Sequence, residues 1–92
     1  GHEVVILEEH QSAGFPVQCA GLVSDDCYRL IRRYSDCKVK RVRGMVVFSP
    51  GGKCAELEGK SGGVVVDRRI MDRDLLAKAS EGADVMVKSR FV

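Results

Sequence analysis

Glu8 is the first acid after the run Val4–Leu7, and Glu9 follows it. A carboxylate at the carboxyl end of a parallel strand can accept hydrogen bonds from nucleotide ribose hydroxyls, as in dinucleotide-binding sheets. The plainer reading is a solvated turn residue. The densest local pattern is Gly14-Phe15-Pro16-Val17-Gln18-Cys19-Ala20-Gly21-Leu22-Val23-Ser24. Its glycines permit close backbone approach to a ligand, and a helix start at Ser24 offers free N–H groups suited to an anion. Cys19 has no flanking base that would predict a nucleophilic thiolate, so an Ω-like loop with a packed thiol is the alternative. A third cluster, Val66-Asp67-Arg68-Arg69-Ile70-Met71-Asp72-Arg73-Asp74-Leu75-Leu76, joins a strand to a helix. An arginine there can grip a phosphate through a bidentate fork. Alternatively, Asp67 caps the helix and the arginines form i, i+4 pairs on its exposed face. His2 and His10 have no partners at catalytic or metal spacing and read as surface residues. Cys19, Cys27, Cys37 and Cys54 form no Cys-x-x-Cys pair and have no His at ligand spacing, so no metal site is expected and reduced thiols in a cytoplasm fit best.

The elements that must hold these residues can be read from periodicity. Val4–Leu7 has the continuous apolar character of a parallel-sheet strand buried on both faces, and it needs neighbours. Residues 10–23 read as an ordered loop. Ser24 is a suitable N-cap, Asp25 and Asp26 complement the helix dipole, and Cys27, Leu30, Ile31 and Tyr34 share one apolar stripe, with Cys27 as a small buried hydrophobe. Val39–Phe48 alternates Val with Lys and Arg as a half-exposed strand. Ser49–Gly52 is a turn, and Lys53–Leu57 closes a hairpin. Glu58–Gly63 reads as a loop and Val64–Val66 as a short strand. A second helix spans Arg69–Glu81, with Gly82 as its left-handed stop, and a last strand runs from Val85 to Phe91. The expected fold is α+β, with two helices and about five strands including a hairpin.

Composition removes several classes. Ninety-two residues, 45% hydrophobic and 30% charged, make a single small unit at 1–92 whose core is aliphatic, for Trp is absent and Phe and Tyr total five. A chain of this size buries roughly 60–65% of its unfolded surface. No apolar run exceeds four residues, far short of the ~20 that a membrane span needs. A net charge of +2 gives no argument for nucleic acid or an anionic membrane.

In order, Val-Val-Ile-Leu-Glu-Glu-His, Gly-Phe-Pro-Val-Gln-Cys-Ala-Gly-Leu-Val-Ser, Val-Asp-Arg-Arg-Ile-Met-Asp-Arg-Asp-Leu-Leu-Ala and Glu-Gly-Ala-Asp-Val resemble the geranylgeranyl reductase family of FAD-dependent oxidoreductases. The archaeal digeranylgeranylglycerophospholipid reductases are the nearest branch. The resemblance covers nearly the whole chain. It is most specific at Pro16–Ser24 and Asp67–Ala77, and loosest between Tyr34 and Gly63. It implies an α/β parent with a Rossmann-type FAD-binding domain of the para-hydroxybenzoate-hydroxylase-like fold. That parent would saturate isoprenoid double bonds of ether lipids, in the cytoplasm or at the membrane surface, with an isoprenoid lipid as substrate and no nucleic-acid partner. By the same resemblance, Glu8 holds the FAD ribose, Cys19, Ala20 and Leu22 line the flavin, Arg68 contacts the cofactor from a helix start, and Val92 makes a backbone contact near the adenine. Met71 stands where the family often has Phe.

Departures from the family pattern shape the remaining expectations. No Gly-x-Gly-x-x-Gly turn occurs in the 92 residues, so the expectation is a partial FAD-binding domain from a larger flavoprotein, inactive by itself, with no residue assigned to catalysis. Deprived of parallel neighbours, Val4–Leu7 would be an exposed edge that pairs with a later strand or with a second copy. Two alternatives remain: a flavin monooxygenase or halogenase on the same scaffold, and a free-standing small α+β binding module without flavin.

Overall fold

The computed structural model describes residues 1–92, the side chains of Lys60 and Ser61 excepted. Seven elements follow in order: β1 (Val5–Leu7), β2 (Leu22–Val23), α1 (Asp25–Ile31), β3 (Val39–Phe48), β4 (Cys54–Val66), α2 (Arg68–Ala79) and β5 (Asp84–Met86). The α+β expectation with two helices and five strands holds, although the strands are partitioned differently.

Two sheets form. In one, β1 and β5 are parallel, with Ile6 opposite Val85, and Asp84 N–H donating to Val4 O (3.0 Å) extends the ladder. The first strand therefore finds its partner in a later strand of its own chain. Its faces stay open, with Val5 57% and Leu7 43% exposed, against the expectation of burial on both sides. Among the described residues no layer of helices covers this pair, and a two-stranded sheet has no inner strand. The second sheet is antiparallel in the order β2-β4-β3. Alternation fixed β3 at its expected bounds, and Ser49 N–H to Lys53 O (2.7 Å) closes the turn.

Four expectations are corrected. Glu58–Gly63 is not a separate loop: β4 is one strand from Cys54 to Val66, with Glu58 opposite Gly44, Gly63 opposite Val42 and a register shift between the two paired stretches. Residues 22–23 leave the loop to pair with Val65 and Val64. Gly82 is not in the left-handed region, and α2 ends at Ala79, two residues earlier than expected, with an αR Ser80 whose hydroxyl donates to Ala77 O (2.6 Å). The last strand is three residues long, and the backbone turns away at Lys88 (φ 53°).

The core is small: Ile31 from α1, Cys37, Val64 and Val66 from β4, and Met71 from α2, flanked by Val23, Tyr28, Ile70 and Leu75. The proposed α1 stripe is wrong except at Ile31. Cys27, Leu30 and Tyr34 are exposed, since the two-turn helix meets β4 through Tyr28 and Ile31 and has ended before Tyr34. Ser24 caps α1 as expected, its Oγ accepting from Cys27 N–H (3.1 Å). Buried Ser35 is satisfied on both sides, donating to Asp74 Oδ2 (2.6 Å) and accepting from Cys37 N–H (3.2 Å). The radius of gyration is 17.0 Å, against about 12 Å for a compact domain of this length. The long β3–β4 hairpin and the separate β1–β5 pair account for the extended shape.

Candidate functional site

Three segments converge at the carboxyl end of β1. Glu8 leaves the strand with its N–H donating to Met86 O (2.9 Å), so its backbone is still held by β5. Its Oε1 accepts from the backbone N–H of His10 (2.9 Å) and lies 3.0 Å from His10 Nδ1. These contacts lower the Glu8 carboxyl below the usual carboxylate range, the backbone N–H of His10 contributing most and its ring next, while partial burial and Asp72 work in the opposite direction.

The loop that follows is pinned by its glycines. Gly14 (φ +82°) lies so close to the start of α2 that a Cβ would fall 2.7 Å from Arg69 O. Gly21 (φ +83°) accepts from Val66 N–H (2.9 Å), and a Cβ there would meet Val66 O at 2.3 Å. These glycines serve close backbone packing against α2 and β4, where the sequence suggested approach to a ligand. Between them, Cys19 Sγ accepts from Gly21 N–H (3.4 Å).

Arg68 enters from the first turn of α2, which Asp67 caps by accepting from Arg69 N–H (3.1 Å) and Ile70 N–H (3.4 Å). Its guanidinium donates to both oxygens of Asp72 (2.8 and 3.0 Å). That fork raises the Arg68 pKa, with Cys19 adding to the same direction. The i, i+4 pair and the Asp67 cap are the plainer alternatives weighed for this junction, and both are present.

Glu8, His10, Phe15, Cys19, Arg68 and Asp72 share one cleft of about 270 Å³. Three of the six expected site residues, Glu8, Cys19 and Arg68, thus meet there although 60 positions separate the outermost two. Ala20 and Leu22 face the other way, into an apolar cavity of about 540 Å³ that Val42, Met45, Leu57 and Val65 also line. The Cys19–Leu22 segment therefore forms a wall between a polar and an apolar space. Val92 lies fully exposed at the chain end and lines neither space. Sequence reading missed His10 and Asp72. The Glu8-x-His10 spacing just after a strand was the available signal, since a turn there lets a side-chain oxygen accept from the N–H two residues on. No group of three or more His, Cys, Asp or Glu suited to a metal ion occurs among the described residues. Nor is any helix among them long and apolar enough to cross a membrane.

No protein-family profile matches the chain. Among curated proteins, an uncharacterized protein of Methanocaldococcus jannaschii is 31% identical over 86 residues, covering 94% of this chain and 22% of its own. The digeranylgeranylglycerophospholipid reductase of Methanoculleus marisnigri is 36% identical over 99 residues, covering 98% of this chain and 24% of its own. Among solved structures, a geranylgeranyl bacteriochlorophyll reductase-like protein of Thermoplasma acidophilum superposes with a TM-score of 0.71 at 28% identity, over 94% of this chain and 24% of that one. The chain thus spans about a quarter of the length of the relatives it matches.

Proposed function

We propose that this chain, homologous over nearly its whole length to archaeal digeranylgeranylglycerophospholipid reductases, is the part of an FAD-dependent reductase that grips the adenosine ribose and walls the flavin. The observation that carries the reading is the meeting of Glu8, Cys19 and Arg68 in one cleft at the carboxyl end of a parallel strand, where open α/β sheets take their ligands. The donor set fits. Glu8 Oε1 is occupied by His10 and Oε2 is left as an acceptor for a ribose hydroxyl. Arg68, fixed by Asp72, keeps further N–H groups for the cofactor. Cys19, Ala20 and Leu22 would lie along the flavin, and the backbone of Val92 near the adenine.

Bound FAD, once reduced by an external electron donor, would supply the two electrons that saturate each isoprenoid double bond of an ether lipid. The contribution of these residues is binding and orientation. In this reading the site belongs to a Rossmann-type domain of the para-hydroxybenzoate-hydroxylase-like fold. The 92 residues contain no Gly-x-Gly-x-x-Gly turn, so neutralisation of the pyrophosphate falls to other segments of a longer polypeptide, and the chain alone has no reductase activity. The intact enzyme would work in the cytoplasm or at the membrane surface. The test is to purify a polypeptide of the relatives' length that carries these residues and to record its visible spectrum. Oxidised flavin bands that are lost in Glu8→Ala are expected, and a folded, colourless protein refutes the proposal.

A further inference from the structure

We infer that His10 is a positioning residue: by filling one oxygen of the Glu8 carboxylate from two donors, it presents the other oxygen, already oriented, to a ligand hydroxyl. The inference rests on the cofactor reading above and concerns a residue that the resemblance assigns no role. His10 offers both its backbone N–H (2.9 Å) and its ring Nδ1 (3.0 Å) to the same atom, Glu8 Oε1. A carboxylate has about four acceptor positions, so Oε2 remains available while the side chain's torsions are held.

The turn that makes this possible is itself clamped. Glu8 N–H donates to Met86 O (2.9 Å), Ser89 N–H to Glu8 O (2.9 Å) and Lys88 N–H to His10 O (3.0 Å). The segment after β5 thus grips both ends of Glu8-Glu9-His10, and it reaches them through the left-handed Lys88. Among the described residues His10 is the basic side chain in contact with Glu8, its Nδ1 lying 3.0 Å from Oε1. Arg68, which also lines the cleft, is held by Asp72 in a two-point fork. The remaining titratable neighbours are Asp72, whose charge opposes ionisation of Glu8, and Cys19 across the cleft. When neutral, the imidazole can donate to Oε1 only if the proton sits on Nδ1, so the geometry also selects one tautomer.

Two measurements test the role. In the isotopically labelled chain, nitrogen shifts of the neutral His10 ring should show a protonated Nδ1 and a bare Nε2, and Glu8→Ala should remove that preference. In the longer flavoprotein, FAD dissociation constants are compared for wild type, His10→Ala and His10→Asn, whose amide can donate in place of Nδ1. We expect His10→Ala to weaken binding by about 3- to 10-fold, the cost of immobilising one free side chain on binding, and His10→Asn to recover most of the loss. A bare Nδ1 in the wild-type chain, or equal FAD affinity for wild type and His10→Ala, overturns the role of His10 and leaves the cofactor reading standing. A wild-type flavoprotein that binds no FAD overturns both.

Discussion

Gly21→Ala separates backbone conformation from steric contact at the loop that walls the cleft. Gly21 has φ +83°, and its Cβ would stand 2.3 Å from Val66 O, a backbone atom that no rotamer can move. An L-residue in the left-handed region costs about 1–2 kcal/mol. Relieving the contact requires separating Gly21 from Val66 and breaking the 2.9 Å bond from Val66 N–H to Gly21 O, worth about 0.5–1.5 kcal/mol. The expected loss is therefore about 2–3 kcal/mol, or roughly 10–20 °C in Tm for a domain of this size. Gly52→Ala is the internal reference, since Gly52 has φ +86° in the hairpin turn with nothing within 4 Å of a Cβ; it should lose only the conformational part. Gly82→Ala, with ordinary φ and open space, should be neutral or stabilising by up to about 1 kcal/mol. Urea denaturation followed by far-UV circular dichroism measures all three. Equal losses for Gly21→Ala and Gly52→Ala would show that the loop does not pack against β4 and would refute the geometry of the cleft wall.

Two further outcomes follow from the same elements. Asp67→Ala removes the acceptor for Arg69 and Ile70 N–H and should cost about 1 kcal/mol, read by urea denaturation, whereas Asp67→Ser should retain most of the cap. Glu8 has its carboxyl lowered in the folded chain, so its contribution is fully present above the unfolded carboxylate pKa and is lost as pH falls through the folded value. Acid titration of the Glu8 carboxyl carbon by NMR should show its midpoint rising in His10→Ala, by only part of the shift because the backbone N–H remains. An unmoved midpoint refutes the ring's share.

The parts of the fold that the sequence disclosed are those written in local chemistry. β3 was legible because Val alternates with Lys and Arg, α2 because Asp67 precedes an apolar periodic run, and the α1 start because Ser24 can accept from Cys27 N–H. What escaped depends on neighbours distant in the chain. The segment Glu58–Gly63 has a loop's composition, yet its two ends pair with β3, Glu58 opposite Gly44 and Gly63 opposite Val42, and it stays within β4 across a register shift. Cys27 lies in a plausible stripe, but the direction from which β4 approaches α1 decides which side is buried, and that direction favours Tyr28 and Ile31. The site divides the same way. Glu8 and Arg68 stand out by residue type and position and Cys19 only through the family resemblance, whereas the Glu8-x-His10 spacing becomes a contact once the turn after β1 brings His10 back to Glu8.

Where the cleft draws its rigidity is a separate matter from where the core lies. The five buried apolar residues sit between α1, β4 and α2, while Glu8 hangs from a two-stranded sheet with exposed faces, and two strands alone are marginal in water. The cleft therefore cannot rely on apolar packing beneath it. Its order comes instead from backbone contacts: β5 and the turn at Lys88 fix the Glu8–His10 segment, Gly14 seats the loop on Arg69, and Gly21 ties it to Val66. Arg68 begins the helix on which that loop rests. A change at the Asp67 cap or at Gly21 is thus transmitted to the cleft through a few hydrogen bonds. Such a layout leaves the carboxylate at an open strand end, where a hydroxyl can reach Oε2 without displacing packed side chains.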